Sequence, residues 1–495
     1  MRPSPLAALA VMALLLSGCG SGASDESDQA SPTSAPKAEW SDWIELDAPM
    51  AIMAATADYA VLSETGEPNL AVYDRSGKEL WTLPEPQDFR PDLPSATIAS
   101  NGESVFVVEQ KALTAFDWST GKQQWAFDFA EFGECVLPAD VSLLTSRLTE
   151  AVGTGGTLVL NANAAESSYD RLPQSCFGEI TSDFKDVDVL VGIDAKTGEK
   201  KWSQADNLNH KQLDAALSLD GRFVDRVVTN KLPIYLERTE IGTGKKKRAR
   251  LMLDEWGYSF PDPVFMSDMG QDEFAIDLGG NGFVLTQVEK WTESVDDAKS
   301  FPPGDADPCE VDVSTSRSGI QYCLEAPNGE GDYRSKLVRG LAADGTPAPV
   351  TTPITDAPWT AAGPTNVPTD PETSGPGIFG IDPIAPRDGA DPLIGLPGKD
   401  APLQGINLAS GEVEWTVPGK PGNYAEYASY VPPTGEFVTS MGGEIVGIDA
   451  TSGEETWREP APFDGASPMS AQGPFVLVRS EDAGRSVLRT VEVAK

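Results

Sequence analysis

Histidine is almost missing from this chain: His210 is the only one in 495 residues. A Ser-His-Asp triad, a Cys-His pair or a multi-histidine metal centre would have to hang on that one side chain. It lies in the polar run from Asn207 to Lys211, which reads as an exposed loop. No Gly-x-Ser-x-Gly nucleophile elbow occurs, and no Cys-x-x-Cys pair argues for zinc or redox chemistry. Asp305, Asp307, Glu310 and Asp312 crowd around Cys309 but lack the spacing of an EF-hand calcium loop. The residues therefore assign no catalytic group, no cofactor site and no metal site.

Basic residues are scarce as well, 37 against 76 acidic ones, for a formal net charge of -39. That balance excludes nucleic acid as a partner, since phosphate binding needs a basic surface. One cluster departs from it: Lys245, Lys246, Lys247 and Arg248 form a candidate contact loop for an anionic partner. The same stretch, with Gly242 and Gly244, lacks the spacing of a phosphate-binding loop.

Long apolar runs are also lacking, and no stretch has the length of a membrane-spanning helix. The longest is the eleven residues from Leu6 to Leu16, after Arg2 and before Gly18-Cys19. This is the pattern of a signal peptide over residues 1–18, and Leu16-Ser17-Gly18-Cys19 resembles a bacterial lipobox. Lipid on Cys19 would then anchor an exported protein at the outer face of the cell membrane. Residues 19–38 are rich in Ser, Ala, Asp and Pro and read as a disordered tether. Four further cysteines, Cys135, Cys176, Cys309 and Cys323, suggest two disulfides in an exported chain. Sequence neighbours would pair as Cys135–Cys176 and Cys309–Cys323, though three connectivities exist.

What the chain has in quantity is a repeat. Leu70–Trp81, Leu113–Trp125, Leu190–Trp202, Leu403–Trp415 and Ile445–Trp457 each run from alternating apolar residues through Asp or Asn, turn at Gly and restart at Trp. Asp74, Asp117, Asp194, Asn407 and Asp449 head a turn by accepting backbone amides. Gly77, Gly121, Gly198, Gly411 and Gly453 supply the left-handed residue of a short hairpin loop. Trp81, Trp125, Trp202, Trp415 and Trp457 then present a large apolar surface that a neighbouring copy must cover. Two weaker copies keep the register: Leu236–Arg248, with Gly244 and with Arg248 in the Trp place, and Leu337–Pro349, with Gly345.

From Trp81 the steps between equivalent positions are 44, 77, 46, 101, 66 and 42 residues. The short ones suit a propeller blade of ~40–45 residues, and the long ones read as blades with insertions. After Trp457 the chain lacks a last Trp strand, and the segment from Trp40 through Trp43 to Leu46 offers one. The expectation is an all-β chain with a single propeller over residues 39–495. Its four-stranded blades number eight, or seven, and strands from both termini close the ring.

At these repeats the chain resembles the PQQ-like (quinoprotein) β-propeller family, whose hallmark segment runs from Asp through Thr or Ser, Gly and three residues to Trp. One branch of that family binds PQQ and calcium for dehydrogenation and carries an adjacent cysteine pair, which this chain lacks. The other is catalytically silent and includes the lipid-anchored propeller of the outer-membrane β-barrel assembly machinery. The resemblance implies a non-catalytic binding or scaffolding surface for a protein or cell-envelope partner. A propeller binding a small ligand at its axis, or a PQQ-dependent dehydrogenase, are the alternatives.

Overall fold

The computed structural model of the chain describes most of residues 39–492. The first 38 residues, residues 340–383 and shorter segments, among them 85–97, 145–155, 163–169, 178–185, 208–210, 252–264, 292–298, 301–312 and 419–427, lie outside the described part. Every described strand pairs antiparallel, and no α-helix occurs among the described residues. The strands there fall into nine sheets: seven of four strands, one of five and one of three.

Each four-stranded sheet is a meander in chain order. Met50–Ala55, Tyr59–Glu64, Leu70–Asp74 and Glu79–Thr82 make the first; Ile98–Ser100, Ser104–Val108, Ala112–Asp117 and Gln123–Asp128 the second. The third runs through Val141–Leu144, Thr157–Ala162, Asp186–Asp194 and Lys200–Asn207, and the fourth through Lys211–Leu217, Phe223–Thr229, Ile234–Glu240 and Lys246–Leu251. The long step between Arg248 and Pro349 holds a further sheet, from Phe265–Gly270 to Lys299–Ser300, which carries no Asp-x-x-x-Gly-x-x-x-Trp segment. Nine sheets therefore stand where the sequence registers number eight.

Burial shows why the middle strands read as unbroken apolar runs. All five residues of Ser104–Val108 are buried, whereas the fourth strand Gln123–Asp128 alternates, with only Trp125 and Phe127 buried. A strand covered on both faces needs apolar residues throughout. The covers are the neighbouring sheets. Val61, Val72, Val105, Val107 and Trp118 form one core between the first and second sheets, and Phe106, Leu113, Leu158 and Val191 one between the second and third. Leu62, Tyr73, Phe475 and Leu488 join the last sheet to the first. First strands pack against one another: Met50–Ala55 touches both Ile98–Ser100 and Ala466–Gln472, and Lys211–Leu217 touches Phe265–Gly270. Cores lying between successive sheets, with last against first, are the arrangement of a propeller.

The ring is closed by its two ends. Glu39–Trp40 and Ile44–Leu46 both pair with Ser486–Glu492, next to Phe475–Ser480 and Ala466–Gln472. Arg489 clamps this seam, with its guanidinium carbon 5.1, 5.0 and 5.1 Å from the rings of Trp40, Trp43 and Trp457. It donates to the Ser41 carbonyl at 2.8 Å and to Glu459, which also accepts from Trp43 Nε1 at 2.7 Å.

Candidate functional site: the turn face

The repeated hairpin sets up one end of the ring. Asp74 Oδ1 accepts the amides of Ser76 and Lys78 at 2.8 and 3.1 Å, and Asp117 Oδ1 accepts the amide of Thr120 at 2.9 Å with the hydroxyls of Ser119 and Thr120. Asp194 holds Lys196 and Thr197, Asp449 holds Thr451 and Ser452, and Asn407 holds Ser410 in the same way. Hydrogen bonds from the Thr120 and Ser119 side chains lead in drawing the Asp117 carboxyl below the usual carboxylate range. At Asp74 and Asp194 partial burial pushes upward, but the turn's hydrogen bonds outweigh it and the net direction is again down. These carboxylates stay ionised, and each commits its Oδ1 to the turn.

Four of the tryptophans reach from their own sheet to the turn of the next, whereas Trp457 Nε1 donates to Glu436 of its own sheet at 3.1 Å. Trp81 Nε1 donates to Trp118 O at 2.8 Å, Trp125 to Ala195 O at 3.1 Å, Trp202 to Ile241 O at 2.6 Å and Trp415 to Ala450 O at 3.0 Å. In every case the acceptor directly follows the residue heading the turn. The ring lies over the turn glycine: a Cβ on Gly121 would sit 2.6 Å from Trp81, and one on Gly244 2.8 Å from Trp202. Gly77, Gly121, Gly198 and Gly244 thus lie on one face, each turn joined to the next except that Ile44 takes the Trp role against Gly77. Trp43 instead belongs to the Arg489 clamp, because the closing strand presents Ile44 to the first sheet.

A β-bulge aims each Trp. Ala115 pairs with Trp125 while Phe116 pairs with Gln123, which skips Gln124, and the same shift precedes Trp81, Trp202, Trp415 and Trp457. The extra residue turns the Trp side chain toward the next sheet. The fourth sheet lacks the shift: Thr239, Arg238 and Glu237 pair in unbroken succession with Lys246, Lys247 and Arg248. Arg248 therefore does not take the Trp place that its spacing gives it. It turns instead to Glu237, which is 1% exposed and also receives Arg226, with Lys246 Nζ at 3.7 Å. Arg238 fills the space toward the following sheet, 4.6 Å from the Trp291 ring and 5.2 Å from Phe274, and donates to Asp225 at 2.6 and 2.9 Å. Of the candidate contact loop, Lys246 and Arg248 are thus spent on a buried carboxylate, while Lys245 and Lys247 face solvent.

A second irregular feature is an insertion stapled to the second and third sheets. Cys135 and Cys176 form a disulfide with Cα atoms 5.3 Å apart, buried with Phe129, Phe132, Val136 and Leu172. Glu134 stands beside the pair, but both sulfur atoms are committed to each other and offer no metal thiolate. Cys19, His210, Cys309, Gly345, Pro349 and Gly411 lie outside the described residues, as does the side chain of Cys323. Sequence reasoning missed Arg489 and the glycines Gly192, Gly405 and Gly447, which pair with Trp202, Trp415 and Trp457 and leave room for those rings.

Fold and turn chemistry together define an all-β propeller in which Trp81, Trp125, Trp202 and Trp415 each join one blade to the turn of the next. The family model described as outer membrane protein assembly factor BamB matches residues 37–228, less than half of the chain, and over that segment the chain is similar to that PQQ-like family. No curated protein matches the chain. Solved structures with similar chains include BamB from Moraxella catarrhalis, at 12% identity over 92% of this chain and 99% of that one, with a TM-score of 0.36. Quinohemoprotein alcohol dehydrogenase from Comamonas testosteroni is 12% identical over 93% of this chain and 77% of its own, with a TM-score of 0.38. Saccharomyces cerevisiae Sqt1 is 10% identical over 90% and 98%, also with a TM-score of 0.38. At these identities and scores the likenesses carry no argument about activity.

Proposed function

We propose that the chain is a lipid-anchored, extracytoplasmic propeller that acts as a non-catalytic binding scaffold for a protein or cell-envelope partner. The observation that supports it best is the match of residues 37–228 to an assembly-factor family. The residues that recur in the repeat have structural employment: the aspartates hold turns and the tryptophans join blades. Binding is then left to what does not recur, namely the stapled insertion and the solvent-facing turn residues. Anchoring would come from lipid on Cys19, with residues 19–38 as the tether.

Two measurements test the two halves. Metabolic labelling with a radiolabelled fatty acid should mark the full chain and not Cys19→Ser; equal labelling, or none in either, would remove the anchor. In living cells, a photo-crosslinker placed at Ser175, beside the disulfide, should trap one identified partner in stoichiometric yield. Dye-linked alcohol oxidation after loading with PQQ and calcium would instead favour the dehydrogenase reading.

A further inference from the structure

The fourth sheet buries charge on both of its faces. On the face toward the third sheet Arg226 pairs with Glu237, which Lys246 and Arg248 also approach. Val224 and Thr239, two positions away on the same strands, mark that face: Val224 shares a core with Leu190, and Thr239 Oγ1 donates to Gln204 Oε1 at 3.1 Å. On the face toward the fifth sheet Arg238 donates to Asp225 at 2.6 and 2.9 Å and lies 4.6 Å from the Trp291 ring and 5.2 Å from Phe274. Arg226, Glu237, Asp225 and Arg238 are all buried. The cores joining the first, second and third sheets are built instead from Val, Leu, Phe and Trp.

Both partners of each pair belong to one sheet. Asp225 stands opposite Arg238, and Arg226 opposite Glu237, on neighbouring strands. The pairs therefore survive if a neighbouring sheet moves off, and water regains ions that burial had stripped of it. Between the first and second sheets, separation would instead carry Val61, Val72, Val105 and Val107 into water, at the full hydrophobic cost. Val227 and Leu236 lie on the same face as Asp225 and Arg238 and resist separation, and the rehydrated pair offsets them. No strand of the fourth sheet pairs with one of the fifth, so parting them breaks no ladder among the described residues.

The two sides of the fourth sheet differ in how they are fastened. Toward the third sheet, Trp202 Nε1 donates to Ile241 O at 2.6 Å and Gln204 Nε2 to Gly244 O at 2.8 Å. Toward the fifth, the last strand Lys246–Leu251 contains no Trp and pairs without the bulge that aims one elsewhere. Arg238 is left to make the contact, from the third strand and through two ring faces. A cation over a ring holds less than a buried indole with its apolar surface. The first-to-second, second-to-third and third-to-fourth junctions each have a Trp seated on the next turn, and the closing sheet has Ile44 on one side and the Arg489 clamp on the other.

We propose that the ring has a hinge between its fourth and fifth sheets, where it parts locally while the Trp-fastened junctions and the seam of the termini stay closed. The fourth sheet keeps its own strand pairing and both ion pairs through the movement. The hinge is thus a property of side chains between two sheets and needs no strand to unfold.

The test uses the full chain carrying either Val227→Cys or Val61→Cys. Both valines are fully buried on the second strand of their sheet, Val227 on the face toward the fifth sheet and Val61 in the core between the first and second. Iodoacetamide is added under native conditions, and peptide mapping reads the rate at each position. The thiol at position 227 should label about tenfold or more faster than that at position 61, at a rate that dilute urea leaves unchanged, as local opening requires. Adding Asp225→Leu with Arg238→Met to Val227→Cys should slow labelling by about tenfold, because parting the sheets then exposes apolar surface in place of charge. Equal labelling at the two positions, or rates that rise steeply with urea at both, would mean global unfolding and would overturn the hinge. Labelling of the apolar-pair variant as fast as its parent would overturn it as well. Urea unfolding of each variant shows whether it folds; if the apolar pair does not, the comparison of positions 227 and 61 decides alone.

Discussion

Gly121 has no side chain because the indole of Trp81 occupies the place where one would be. Its backbone lies at φ +65°, and a Cβ would stand 2.6 Å from the ring, so both conformation and contact exclude alanine. Gly121→Ala should destabilise the protein by about 1–3 kcal/mol through overpacking, with a further cost from the left-handed backbone. Chemical denaturation reads it, and an unchanged midpoint would show that the turn yields freely. The left-handed glycine was legible in the sequence from its place after Asp. Its second duty was not, because the ring it meets comes from the preceding repeat. Gly192, Gly405 and Gly447 escaped for a different reason: Val72 and Ala115 hold the same place opposite Trp81 and Trp125, so no rule in the sequence sets them apart.

At the scale of the element, the decisive feature is the bulge before each Trp. Period-two alternation identifies a strand and its faces, but one extra residue inverts the faces beyond it. That is why Arg248 aligns with Trp202 and yet points to Glu237, and why Arg238 supplies the contact to Trp291. The hairpins around Asp74, Asp117, Asp194 and Asp449 were legible, since Asx turn chemistry is local. Trp125 is 9% exposed and bridges the second and third sheets. Trp125→Ala should cost roughly 3–5 kcal/mol, whereas Trp125→Phe should lose mainly the hydrogen bond to Ala195, about 1 kcal/mol. Paired urea unfolding curves check both, and equal losses would mean that packing contributes little there.

For the whole molecule, ring closure by the termini was readable from the missing last strand and from the Trp-rich segment before Leu46. The clamp on it was not, because Arg489 stands alone in the sequence and gains its meaning from three tryptophans far away along the chain. Arg489 has an 11% exposed side chain, and Glu459 and three rings surround it. Burial pulls its pKa down, against the upward pull of Glu459, yet it remains a cation. Arg489→Ala leaves the partly buried Glu459 without its cation, held only by Trp43 Nε1, and should destabilise by about 3 kcal/mol. It should also free the edge of Ser486–Glu492, which then pairs between molecules. Size-exclusion chromatography would reveal dimers or larger species; a strictly monomeric variant of wild-type stability would remove the clamp from this account.

The hydrogen bond from the Thr490 amide to Ser41 Oγ spans 449 positions of the chain. Closing a loop of that length costs on the order of 5 kcal/mol in entropy before any contact rewards it. A chain made from its N-terminus must keep Trp40 and Trp43 without their strand partner until Ser486–Glu492 has been made. The first strand of the ring is thus the last to be placed, and the interval before it is placed is when this protein most needs a chaperone.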